Sequence, residues 1–208
     1  MVSAKPEVEN RDIQKGLWEH MLCSDCEIKI SKWEDYARHA LTGSKKASIT
    51  VVETIKGIGV KLAGIDYHKF KLFQLSVLWR AHVAKGPFFS AVDLGDHAEP
   101  LRLMLLNETP GLSKEYGCVM SSVVDNNAVI TDIIEQPLKT MLGGVDCFRF
   151  LFGGLLWAFP LSKEAPSHLD DYYLQPNGML VCATLKLKEL KSMQGFAERA
   201  AKLGRLGD

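Results

Sequence analysis

The sequence has no long uninterrupted apolar run. Its most hydrophobic stretch, 145–161, is broken by Asp146, Arg149, a Gly153-Gly154 pair and Pro160. A bilayer span needs roughly 20 apolar residues in succession, so no membrane-crossing segment is expected. Net charge is missing as well: 25 Lys and Arg are balanced by 25 Asp and Glu, which weighs against a strongly basic nucleic-acid binder. Cysteine is scarce and odd in number, with Cys23, Cys26, Cys118, Cys147 and Cys182. The opening MVSAKPEVENRDIQK has no apolar core of a secretory signal. Five cysteines behind such a start predict a reducing, cytoplasmic setting rather than a disulfide framework. Walker, GxGxxG, GxSxG and HExxH motifs are absent, and so are repeats and low-complexity tracts. Gly57-Ile58-Gly59 lacks a third glycine and a following helix, so it is not a phosphate cradle.

What is there suits one folded unit. With 208 residues, 47% hydrophobic and 24% charged, the chain can bury a core and is not globally disordered. The zero total hides asymmetry. Residues 1–86 carry +4, residues 87–185 carry −7 and residues 186–208 carry +3. Two basic ends that converge in space would form one binding face; an uneven solvated surface needs no such convergence.

Residues 1–15 read as a polar leader, and 16–208 as a single domain. Ser31, with Glu34 at capping-box spacing, predicts a helix burying Trp33, Tyr36, Ala37, Ala40 and Leu41, closed by Gly43. Residues 49–55 and 58–62 read as a hairpin turned at Lys56-Gly57. Asp66 caps YHKFKLFQLSVLWRAHVA, which carries apolar residues over most of its girth and is expected at the centre of the fold. Asp96 and Glu99 frame another helix with Leu101, Met104 and Leu105 inward. The second half is strand-like: 117–124 and 128–134 around Asp125-Asn126-Asn127, 147–152 and 155–159 around Gly153-Gly154, then 179–187. Leu190, Met193, Phe196, Ala197, Ala200 and Leu203 predict a C-terminal amphipathic helix. The expectation is an α+β fold: an antiparallel sheet of hairpins packed with a central apolar helix.

One motif carries chemistry. Cys23-x-x-Cys26 has the spacing at which two thiolates occupy adjacent corners of a zinc tetrahedron, and is half of such a site. His39 follows Cys26 after 12 residues, as in a two-cysteine, two-histidine finger, but positions 43–45 read Gly-Ser-Lys and offer no fourth ligand. His20 precedes the pair by three positions. If zinc is bound, the other ligands come from His20, His39 or a second molecule; otherwise both thiols are reduced and metal-free. No βαβ pattern surrounds the pair, which argues against a redox CxxC. The other three cysteines lie on strand-like segments and read as core.

The stretch His20-Met21-Leu22-Cys23-Ser24-Asp25-Cys26-Glu27, followed by Ser31-Lys32-Trp33-Glu34-Asp35-Tyr36-Ala37, together with KLFQLSVLWRAHVA and LGDHAEPLRLML, resembles a group of bacterial and phage HNH-endonuclease-like proteins over roughly residues 16–108. In that group an upstream CxxC and a Ser-His-x-x-Pro segment complete a zinc-stabilised treble clef, whose histidine activates water for phosphodiester cleavage. Neither has a counterpart here, and none of the six histidines stands in a Ser-His-x-x-Pro context. The resemblance therefore implies a degenerate scaffold: a non-catalytic binding or regulatory protein acting through protein or nucleic-acid contacts, in bacterial or phage defence or counter-defence. Its alternative is a metal-dependent nuclease completed by a partner chain or a homodimer mate. An unrelated small-molecule enzyme with a site unreadable in sequence is the third possibility.

Other constellations have plain readings. Asp170-Asp171 reads as a solvated turn. Arg80, beside Trp79 on an apolar helix, is expected to form an internal salt bridge. His82 and His97, near Asp93 and Asp96, have no geometry fixed by sequence.

Overall fold

Asp66 starts the central helix as its spacing demands. In this computed structural model, which describes residues 19–190 except 127, 132 and 165, and also residue 202, the Asp66 carboxylate accepts from the Lys69 N–H at 3.0 Å and opens the helix Tyr67–Val83. Such a cap stabilises a helix by about 1 kcal/mol. In chain order the elements are α1 (Ser24–Leu41), β1 (Thr50–Ile55), β2 (Gly59–Ala63), α2 (Tyr67–Val83), α3 (Ala98–Leu106), β3 (Val119–Asp125), β4 (Ala128–Val129), β5 (Glu135–Leu142), β6 (Val145–Phe152), β7 (Leu155–Pro160) and β8 (Leu180–Lys186), joined by short 3₁₀ turns. The fold is α+β. The expected polar leader and almost all of the expected C-terminal helix lie outside the described residues.

The sheet runs β1-β2-β8-β3-β7-β6-β5, with β4 on β3. All pairings among the described residues are antiparallel except β3–β8, where Ser121 stands beside Ala183 in parallel register. The sheet is therefore mixed rather than purely antiparallel. The chain leaves β7 through a long connection containing the 3₁₀ turn Ser167–Tyr172, and returns between β2 and β3 in the direction of β3. Packing is close there: a Cβ on Gly59 would collide with the Cys182 carbonyl.

The Gly153-Gly154 turn joins β6 to β7, both glycines having positive φ (60° and 77°), as a two-residue hairpin turn requires. Gly143-Gly144 does the same between β5 and β6. β5 is a strand the sequence pattern did not declare. It is an edge strand containing Pro137 and Lys139, mostly exposed, and so lacks the alternation of a half-buried strand. The expected strand 128–134 is reduced to β4, because β7 and β8 already occupy both edges of β3 over most of its length.

α2 lies on the sheet. Phe70 and Phe73 pack on Trp157 of β7, ring centroids 6.2 and 5.9 Å apart. Leu72, Leu75 and Leu78 are fully buried on its other sides. α1 covers α2 with Ile30, Trp33 and Ala37, and Tyr36 Oη accepts from the Asp66 N–H at 2.6 Å. Arg80 makes the expected internal ion pair, to Glu34 of α1 at 2.6 Å. α1 begins at Ser24, its N-cap being Cys23, eight residues before the Ser31 cap expected from the capping box. Nothing between 24 and 31 breaks a helix, and Asp25 and Glu27 in the first turn suit the helix dipole. Ser31 is interior and donates to the Ile28 carbonyl at 2.9 Å. Gly43 takes the expected left-handed conformation just past the end, at φ 66°.

Candidate functional site

The early start of α1 sets the geometry of the cysteine pair. Cys23 is the N-cap, with extended backbone (φ −77°, ψ 162°), and Cys26 lies in the first turn. No side-chain capping bond closes at Cys23; the donors that act on its sulfur are the Cys26 backbone N–H and thiol. Those donors favour the thiolate and lower the Cys23 pKa from its ordinary value. Cys26, acting as the donor, is raised. Cys23 is exposed and Cys26 partly covered. Cys118, Cys147 and Cys182 are buried in the core as expected, and burial raises their thiols, that of Cys147 to about 12.

The histidines proposed as further ligands are placed differently. Cys26 and His39 lie on one helix, 13 residues apart. At 1.5 Å rise per residue that is about 20 Å, so one metal cannot bind both within a single chain. The His39 ring is tucked against the helix end, where its Nε2 accepts from Arg38 at 3.1 Å, with Asp35 at 3.6 Å. The residue is 9% exposed and its Nδ1 has no partner among the described residues. His20 is exposed, three residues before Cys23. Among the described residues no group of three or more His, Cys, Asp or Glu side chains is placed to hold a metal. Among the described residues the pair thus presents two thiols of a tetrahedron without a third metal-ligating side chain grouped with them.

Beside the pair, α1, α2 and α3 enclose an apolar cavity of about 130 Å³, floored by Leu22, Ile30, Trp33, Trp79, Leu105 and Leu106, with Cys26, Lys29 and Arg102 also lining it. Lys29 braces the rim: it donates to the Leu106 carbonyl at 3.3 Å, near the end of α3, and pairs with Glu108 at 3.2 Å. A cation suits a helix C-terminus, where carbonyls lack partners. Past Trp79 and Arg102 the cavity is continued by an open cleft of about 450 Å³ that reaches His82, Gly95, Asp96 and Glu99. Exposed Ile28, Leu103 and Leu106 belong to the same helices, α1 and α3.

The remaining titratable candidates hold structure together. His82 Nδ1 accepts from the Leu94 N–H at 3.2 Å. His97 Nδ1 meets Tyr116 Oη at 3.2 Å, and His68 Nε2 donates to the Glu108 carbonyl at 2.8 Å. Asp170 and Asp171 are exposed in a 3₁₀ turn, the solvated turn expected. One buried cation was not singled out by sequence. Lys71 of α2 is 1% exposed and donates to the Ser113 and Tyr116 carbonyls, both at 3.1 Å. Burial lowers its pKa to about 7. Its only sequence signal is its position between Phe70 and Leu72 on a helix apolar all round.

No helix among the described residues is long and apolar enough to cross a membrane. Comparison with protein-family models, curated proteins and solved structures gives no match.

Proposed function

We propose that the chain is a non-catalytic binding protein whose working surface is the groove between α1, α2 and α3. The observation that carries this reading is the groove itself: an apolar floor containing two tryptophans, with a charged rim of both signs, open to solvent. Tryptophan in a concave apolar setting is the residue type most enriched in interface hot spots. Such a floor suits an apolar side chain of a protein partner. The mixed-sign rim, with Glu99 and Asp96 beside Arg102, suits a polypeptide better than a phosphate backbone, which needs like-signed cations. The resemblance to HNH-like proteins supplies the bacterial or phage setting and the idea of a scaffold that has lost its cleavage chemistry.

A second reading keeps the nuclease, with the metal centre completed by a partner chain or a dimer mate. It rests on Cys23 and Cys26, which sit on the first turn of a helix as two ligands of a shared tetrahedron would.

Selection of a random peptide library on the full chain, followed by titration against Leu106→Glu, tests the first reading. Leu106 is 47% exposed at the groove, so the change should not unfold the protein. Enrichment of apolar peptides with at least tenfold weaker binding to Leu106→Glu is expected, a difference of about 1.4 kcal/mol. Equal binding by both, or divalent-ion-dependent cleavage of plasmid DNA by the isolated chain, would replace this reading with another.

A further inference from the structure

The sequence argues against redox chemistry at Cys23 and Cys26 because the surrounding elements do not alternate as βαβ. That objection concerns the fold, whereas the chemistry depends on the local arrangement of two sulfurs. We infer that Cys23 and Cys26 form a reversible dithiol–disulfide couple, with Cys23 as the attacking nucleophile, Cys26 as the resolving thiol and a low-molecular-weight disulfide as oxidant.

Two observations converge. First, the two residues stand three apart across the first turn of α1, which is closed by the Glu27 N–H donating to the Cys23 carbonyl at 3.0 Å. From the rise and radius of an α-helix, Cα atoms three residues apart are about 5 Å from each other, within the Cα separation that a disulfide spans. Second, the two thiols differ in access: Cys23 is exposed and Cys26 is partly covered by the apolar groove that it lines. An incoming disulfide therefore meets Cys23 first.

The exchange balances. The Cys23 thiolate attacks one sulfur of a disulfide RSSR, forming a Cys23–SR mixed disulfide and releasing RS⁻. Cys26 gives its proton to solvent or to that thiolate, and its sulfur attacks the Cys23 sulfur, expelling a second RS⁻. The net change is protein dithiol plus RSSR to protein disulfide plus two RSH, a two-electron transfer that an added dithiol reverses. The inference does not depend on what the groove binds.

The test uses the intact chain with glutathione disulfide. Purified protein, assayed for zinc and equilibrated in mixtures of oxidised and reduced glutathione, is quenched with acid, alkylated and digested with trypsin. Peptide 16–29 contains Cys23 and Cys26 and none of the other cysteines. That peptide should lose two hydrogens and escape alkylation as the oxidised fraction rises, then recover fully with dithiothreitol. Cys26→Ser should accumulate a glutathione adduct on Cys23. Cys23→Ser should carry at least tenfold less adduct on Cys26. Overturning results are an unoxidised peptide at equilibrium with excess glutathione disulfide, equal adducts on the two single variants, or stoichiometric zinc in the purified protein that the double Cys→Ser variant lacks.

Discussion

Five identical side chains occupy two opposite settings in this molecule. Cys118, Cys147 and Cys182 are sealed in the sheet, where each behaves as a small apolar residue and burial suppresses ionisation. Cys23 and Cys26 sit at the solvent end of α1, where helix N–H groups and a neighbouring thiol favour a thiolate on Cys23. The residue type does not determine the chemistry; the environment supplied by the fold does. The same rule covers the cations. Lys71 is desolvated among backbone carbonyls, whereas Lys29 sits partly exposed at the groove rim and pairs with Glu108.

The largest expected effect lies on the buried side. Trp157 contacts Phe70, Phe73 and Phe152 and is 1% exposed, so Trp157→Ala should lower unfolding free energy by about 3–5 kcal/mol in urea denaturation. A loss below 1 kcal/mol would mean that α2 is not seated on the sheet as described.

Lys71 sharpens the contrast through pH. Its folded pKa, about 7, lies below the ordinary 10.5, so between those values the unfolded chain binds the extra proton. Its contribution to stability is therefore least favourable below pH 7 and improves as pH rises toward 10. Relative to Lys71→Met, which lacks the amine, wild-type stability should climb by about 1 kcal/mol per pH unit between pH 8 and 10. A difference that stays flat or falls with pH would refute the desolvated amine.

Among the thiols, Cys147→Ser places a hydroxyl at a fully buried position and should cost about 1–3 kcal/mol. Cys23→Ser should act in the opposite direction. Cys23 is the N-cap of α1 and closes no regular capping bond. Serine is a preferred cap, so a gain of about 0.5 kcal/mol is expected from the same denaturation curves. Equal losses from the two serine variants would erase the distinction between the settings.

Much of the fold is legible in the residues. Asp66, the wide apolar girth of 67–83 and the Gly153-Gly154 pair each have a local physical cause that tertiary packing respected. β5 was hidden because an exposed edge strand with Pro137 shows no alternation. The β3–β8 pairing was hidden because parallel register is set by the path of a long connection, not by a turn motif. The cysteine pair was legible as a pair. Its N-cap position was not, because Ser31 and Glu34 imitate a helix start inside α1. The groove was the least visible feature: its walls come from three helices and its floor joins Leu22 to Leu106, a juxtaposition that only tertiary structure creates.

In the proposed couple Cys23 is the nucleophilic thiol of the chain. The most direct measurement is the rate of iodoacetamide labelling at each cysteine of the native, metal-free protein as a function of pH, read by peptide mass. The expected result is that Cys23 labels first, with half-maximal rate below the ordinary thiol value of 9.0, while Cys26 lags and the three core thiols react only after denaturation. Simultaneous labelling of Cys23 and Cys26, with one midpoint at or above 9.0, would contradict it.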